Sequence, residues 1–347
     1  MENIPILKFE PNRVRRLYLG GAGIDRLQGH APAEDGYFPE EWIASCIEGN
    51  TREFQAPGHG LSRVRTGEGE VRFIDLLREH GAELLGERHF KRYGATPAVL
   101  TKLLDSAIRL PVQCHPTVAD AKRLWNAPCG KTEAWIILSA RPDSYIFLGF
   151  NGKFDWEVFL AESLAGEYRR GFEMMHRIPV SAGEVYVVYG GLPHAIGPGV
   201  TMVEVMEPSD LTINPEARCG DREISPEKRF GGIDPRQALE VFERTGYSAS
   251  AIRERCAPKP EPLPGGGLRL IDRDRVGFFG AERYRVSGAG EILRPEPEFR
   301  IGVVAAGSVE IGGMSLRCGE SFFIPYGAGP IRAEGDGELV VILPPRA

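Results

Sequence analysis

Gln113-Cys114-His115-Pro116, Lys131-Thr132-Glu133 and Gly190-Gly191-Leu192-Pro193-His194-Ala195-Ile196-Gly197 constrain this fold more than any other part of the chain, because they read as one metal-ligand set drawn from separated segments. If Val112 to His115 is extended, Gln113 and His115 project from one face and Cys114 from the other. The same period puts Lys131 and Glu133 on one face at the head of the apolar run Ala134 to Leu138. His194 follows the strand-like run Val185 to Tyr189 in a Gly/Pro turn that brings backbone close to whatever the histidine holds. Two imidazoles, a carboxylate and an amide oxygen suit a borderline divalent cation, with zinc the default. A set without thiolates points to a catalytic metal, so the fold must bring these segments to one point. Gln113 is the weakest of the four donors, and it could instead orient His115. His30, His59, His80, His89 and His176 have no partner at ligand spacing and read as surface or structural residues. Cys114, facing away from His115, reads as a small buried apolar residue.

The 347 residues are 42% hydrophobic, which is enough for a large core or two domains. Acidic and basic residues are mixed, with a net charge of -6, so an anionic substrate must meet local cations. The chain has neither a basic stripe nor a Gly-x-Gly-x-x-Gly helix start, which argues against nucleic-acid and dinucleotide partners. Met1 to Pro5 lacks a basic segment followed by an apolar stretch, and no run of about 18 apolar residues occurs. The cysteines at 46, 114, 129, 219, 256 and 318 are scattered without a Cys-x-x-Cys pair, as in thiols kept reduced. The expectation is a cytoplasmic protein, monomeric or homodimeric, with no membrane partner.

The pattern predicts a mainly β chain with helical insertions. Short strands occupy the first seventy residues. Helical spacing of Phe73, Leu76, Leu77, Leu84 and Leu85 predicts an insertion over about 72–105, and Ala119 to Trp125 a second short helix. Strands follow at Ala134 to Leu138, Ser144 to Leu148, Val185 to Tyr189 and Val200 to Val205. Helical patterning returns over about 225–250, and the Pro/Gly-rich stretch 258–267 reads as a linker. Residues 1–257 thus form the expected metal-bearing domain. Residues 268–347 form a small β-barrel with close-spaced strands at Phe299 to Val304, Ser308 to Ile311, Met314 to Leu316, Phe322 to Ile324 and Leu339 to Leu343. No histidine occurs after His194, so that barrel cannot hold a histidine-ligated metal and is expected to cover the first.

Four segments in order resemble the type I, zinc-dependent mannose-6-phosphate isomerase family in its bacterial form. They are Gln113 to Pro116, Gly130 to Glu133, His194-Ala195-Ile196-Gly197-Pro198-Gly199, and Glu204-Val205-Met206-Glu207-Pro208-Ser209-Asp210. Asp35 to Ser45 is similar to the start found in bacterial members. The resemblance covers about residues 15–250, and the last hundred match only as a generic cupin. It implies a cupin-type β-barrel, jelly-roll architecture repeated as a bicupin, and one Zn2+ per chain held by Gln113, His115, Glu133 and His194. It also implies a sugar-phosphate substrate, Lys131 as a substrate contact and Glu204 as a carboxylate able to shuttle a proton.

Three positions depart from that pattern. Asn214 stands where the family places an arginine, Pro111 where it places a serine, and Thr117 where it places an aspartate. Arg218 and Arg222 follow soon after Asn214 and are the candidates to supply the missing cation. The expected reaction is interconversion of mannose 6-phosphate and fructose 6-phosphate through a cis-enediolate. The altered contacts leave two alternatives open: the same chemistry on another sugar, or a metal-containing sugar-binding protein without turnover.

Overall fold

The computed structural model describes residues 5–49, 56–67, 69–264, 266–293, 297–328 and 330–347. Met1 to Ile4, from the segment read for targeting signals, and Gly265 of the linker lie outside them. The fold is mainly β with helical insertions, of the cupin type. A six-stranded antiparallel sheet runs in spatial order Val185–Val188, Glu133–Ala140, Val200–Met206, Leu100–Ser106, Glu40–Ile43 and Arg13–Val14. Facing it, Tyr145–Asn151 pairs with His194–Ile196 and Met175–Pro179, and in parallel with Gly246–Tyr247.

The C-terminal sheet orders its strands Leu7–Lys8, Ser321–Ile324, Arg300–Ile311, Ile331–Leu343, Gly280–Leu293, Leu268–Ile271 and Glu261–Pro262. Met314–Arg317 pairs on Arg300–Ile311. The Pro/Gly-rich stretch therefore contributes a short strand of its own, and the chain's first strand crosses to pair with Phe322 and Phe323.

Both faces of the six-stranded sheet are buried, and alternation assigns each residue its side. Ala134, Ile136, Val185, Val187, Val203 and Val205 face the C-terminal sheet and merge with Ile301, Val303, Phe323, Val340 and Ile342 in one apolar cluster. Burial of side chains this size contributes about 1.5–3 kcal/mol each, so this shared core joins the two sheets. Phe73 and Leu77 of the helix Phe73–Leu85 pack into the same cluster. On the other side Trp135, Ile137, Tyr186 and Val188 meet Ile146, Leu148 and Ile196 of the facing sheet.

The helical insertion is shorter than the sequence pattern predicts. It comprises Phe73–Leu85 and Glu87–Tyr93, and Leu100–Ser106 is a strand deep in the six-stranded sheet. Every residue of that strand is buried, and a run buried on both faces lacks the alternation that separates strand from helix. Over the stretch expected to be helical at about 225–250 the helices are Pro226–Arg229, Pro235–Leu239 and the start of Ala249–Cys256; Val118–Trp125 lies where the short helix is expected, and Trp156–Ala165, Arg170–Glu173 and Arg273–Val276 are helices the pattern did not predict. The strand runs predicted near residues 300 and 308 are one strand, Arg300–Ile311.

Candidate metal centre

Three backbone segments meet to build the centre. Gln113 and His194 form an antiparallel bridge, with Gln113 N–H donating to His194 O at 2.8 Å and His194 N–H to Gln113 O at 2.9 Å. Gly191 N–H donates to His115 O at 2.8 Å, and Lys131 N–H to Pro116 O at 3.0 Å. The glycines are needed at this junction. A Cβ on Gly130 would lie 2.7 Å from Pro116 O, and one on Gly190 2.9 Å from the same oxygen. The Glu207 carboxylate accepts from Thr132 N–H at 2.8 Å and Gly130 N–H at 3.2 Å, which fixes the loop that delivers Lys131 and Glu133.

His115, Glu133 and His194 converge with their candidate ligand atoms all within 4.8 Å of one another, and none is more than 1% exposed. His115 Nε2 stands 3.1 Å from Glu133 Oε2, and His194 Nε2 stands 3.4 Å from Glu133 Oε1. The opposite nitrogens are occupied: Leu211 O accepts from His115 Nδ1 at 2.9 Å, and Leu192 O from His194 Nδ1 at 2.9 Å. A carbonyl can only accept, so each ring carries its proton on Nδ1 and turns the Nε2 lone pair inward. Among the described residues, His194 Nε2 and Glu133 Oε2 have no hydrogen-bond partner. Inward lone pairs facing a buried carboxylate are the donor set a borderline cation takes, and ligand bonds of about 2.0–2.2 Å in a tetrahedron separate donor atoms by about 3.3–3.6 Å. The residues present therefore fit a divalent metal.

Burial drives His115 down to about 3 and His194 downward as well, so both imidazoles are neutral. Burial opposes the charge on Glu133, but the Lys131 ammonium beside it holds the carboxyl well below its ordinary range. Lys131 Nζ lies 3.3 Å from Glu133 Oε2 and 2.9 Å from His115 Nε2.

Beside this cluster opens a cavity of ≈ 250 Å³ whose wall includes Gln113, Lys131, Glu204 and Asn214. Along the sheet, register places Trp42, Lys102, Glu204, Trp135 and Tyr186 side by side in one buried row. Trp135 Nε1–H is shared between Glu133 Oε1 at 3.0 Å and Glu204 Oε1 at 3.3 Å. Lys102 is in close ion-pair contact with Glu204 and lies 3.6 Å from Glu40. Arg16 joins Glu40 at 3.2 Å to Asp210 at 3.1 Å. Burial pushes the Glu204 carboxyl up, Lys102 notwithstanding. Burial disfavours the charge on Lys102, yet its two carboxylates hold it charged above its ordinary range.

Arg218 and Arg222 are not brought to this wall. They flank a tight turn in which Cys219 faces the cavity, while Arg218 is exposed and bonds Asp221 O at 2.7 Å, and Arg222 lies over the Tyr37 ring. Motif reasoning missed Arg16, Glu40 and Lys102. The signal was present as a lone lysine inside the apolar run Val99 to Leu104. Cys114 packs with Val112, Phe147 and Phe150, away from the ligands. His89 and His176 bond the carbonyls of Thr96 and Tyr247. All six cysteines are free, and no described helix is long and apolar enough to cross a membrane.

Fold and site together define a cupin-type chain with a buried His-Glu-His metal-ligand cluster. No protein-family model matches the sequence. The chain is 28% identical over 318 residues to the mannose-6-phosphate isomerase ManA of Bacillus subtilis, covering 90% of this chain and 93% of that protein. It is 27% identical over 302 residues to the mannose-6-phosphate isomerase of Streptococcus mutans, covering 86% and 89%. The crystal structure of the mannose 6-phosphate isomerase from Bacillus subtilis has the same fold, with a TM-score of 0.74 at 21% identity over 97% of this chain and 99% of that one. In sequence and in fold the chain is thus similar to mannose-6-phosphate isomerases over nearly its whole length.

Proposed function

We propose that this protein is a zinc-dependent aldose-ketose isomerase that interconverts mannose 6-phosphate and fructose 6-phosphate. The observation that carries this reading is the buried His115, Glu133 and His194 cluster, with its inward lone pairs, beside a cavity whose wall presents Gln113, Lys131 and Glu204. His115, Glu133 and His194, with Gln113 beside them on the wall, would hold the ion. When bound, zinc supplies Lewis acidity that offsets the negative charge developing on the sugar oxygens, worth several kcal/mol.

The chain's own residues do the rest. Glu204, its carboxyl raised by burial above its ordinary range, takes the proton from C2 and returns it to C1 of the cis-enediolate. Trp135 Nε1–H orients that carboxylate and Glu133 together. Lys131 donates to a sugar oxygen, where its ammonium favours the more anionic enediolate over the ground state. Residues 1–257 carry this chemistry in the proposal, 258–267 connect, and 268–347 cover.

The test is a coupled assay on zinc-replete protein together with exchange of the C2 proton into deuterated solvent. Conversion and exchange are expected with mannose 6-phosphate, and the absence of both would refute the reading. Asn214 on the cavity wall favours one variant, the same chemistry on another sugar, so a panel of aldose phosphates and free sugars belongs beside that assay.

A further inference from the structure

The segment that delivers Gln113 and His115 is held along both edges, and one of its holds is a side chain. On one edge Leu110 N–H donates to Ile196 O at 2.9 Å, and Gln113 exchanges bonds with His194. On the other, Cys114 and Ile213 donate to each other's carbonyls, each at 2.9 Å. An antiparallel ladder repeats such a pair two residues further on, which would set Val112 against Pro215. Pro215 has no N–H to give, and its carbonyl accepts from the Arg229 guanidinium at 2.5 Å. The ladder therefore stops one rung short, and the N–H of the fully buried Val112 needs another acceptor.

Glu216 supplies it. Its Oε1 accepts from Val112 N–H at 2.5 Å, and its two oxygens accept from Arg109 Nη1 and Nη2, each at 2.7 Å. Arg109 Nη1 also donates to Leu110 O at 2.8 Å, and its guanidinium lies 4.7 Å from the centre of the Phe172 ring. Two-pronged pairing with a planar guanidinium fixes the orientation of a carboxylate, and Glu216 is only 8% exposed. We infer that Glu216, clamped by Arg109, is a positioning residue for the metal centre. Its carboxylate stands in for the missing rung and so fixes the segment on which Gln113 and His115 sit. Val112 is the residue next to Gln113, so slack at this rung reaches the ligands directly. The inference rests on the metal centre, whatever sugar that centre serves.

Zinc affinity, measured by competition with a chromophoric chelator, is compared in wild type, Glu216→Ala, Glu216→Gln and Phe322→Ala, with circular dichroism to verify folding. In Glu216→Ala the zinc Kd should rise about ten- to a hundredfold, the usual loss when a group that orients metal ligands is removed. Glu216→Gln keeps an oxygen for Val112 N–H and should recover most of that loss. Phe322→Ala opens a cavity in the C-terminal sheet and should bind zinc as wild type does. Should Glu216→Ala not fold, Arg109→Met unclamps the carboxylate without removing it, and a rise of about fivefold is expected there. A zinc Kd within about twofold of wild type in the folded variant, Glu216→Ala or Arg109→Met, would overturn the inference. So would a Glu216→Gln no better than Glu216→Ala, or a Phe322→Ala that loses as much affinity, since any loosening of the fold would then have the same effect. If wild type binds zinc but turns over no mannose 6-phosphate, while Glu216→Ala still loses zinc affinity, the isomerase reading fails and Glu216 keeps its assignment. A wild type that binds no zinc would overturn the inference together with the metal centre.

Discussion

The two principal sheets share one apolar core but use their other faces differently. On the six-stranded sheet that face carries Lys102 and Glu204 in register between Trp42 and Trp135, and a cavity lies over it. On the C-terminal sheet the corresponding face is hydrocarbon, with Val304, Leu316, Phe322, Ile324, Leu339 and Val341 packed together. Phe322 lies directly across from Gly302, and a Cβ there would fall 2.1 Å from the Phe322 ring. One sheet holds its interior open with paired charges, whereas the other closes its interior with an aromatic ring over a glycine. A sheet face becomes a site when its polar residues find partners within the sheet, because unpaired buried charges cost too much to keep.

The largest effect should come from the ligand cluster itself. Glu133→Ala is expected to remove most bound metal by elemental analysis and to lower kcat/KM by about a thousandfold or more. Wild-type metal content in that variant would show that the open face does not depend on the cluster. Lys102→Met should come next, since it leaves Glu204 buried without its cation, while Glu40 keeps Arg16, at a cost of about 3–5 kcal/mol in denaturant unfolding. Adding Glu204→Gln should recover part of that loss, and no recovery would mean that the row is not coupled.

Phe322→Ala probes the closed face. A loss of about 3–5 kcal/mol is expected with unchanged metal stoichiometry and unchanged kcat of the folded fraction. Loss of metal in this variant would erase the contrast between the sheets. The smallest effect concerns pH. Burial holds His115 down to about 3, so below the ordinary imidazole value of about 6.5 the unfolded chain binds a proton that the folded state refuses. Stability of chelator-treated protein should therefore be full above that value and decline as pH falls below about 6.5 toward about 3. The decline should be shallower in His115→Gln, and an identical slope would place its origin elsewhere.

The ligand cluster was legible because a strand's period of two is fixed by geometry, so His115, Glu133 and the turn before His194 could be assigned faces without tertiary knowledge. The charged row was not. Lys102 pairs with Glu204, 102 positions further along the chain, and with Glu40, 62 positions before it, and nothing local announces either partner. Its strand, buried throughout, also reads as helix. Arg218 and Arg222 were reached by sequence proximity to Asn214, but their turn directs Cys219 inward and leaves Arg218 exposed. Glu216 meets Arg109, 107 positions earlier, where Pro215 ends the ladder between their segments, a contact no spacing rule predicts.

At the meeting of the Gly130, Gly190 and Pro116 backbones, no side chain separates the loops that deliver the three ligands. The spacing of the three side chains is thus set where main chain meets main chain, as a keystone sets an arch. Pro111 and Asn214 line the cavity outside this junction, so the cavity wall can drift in sequence without loosening the His-Glu-His geometry.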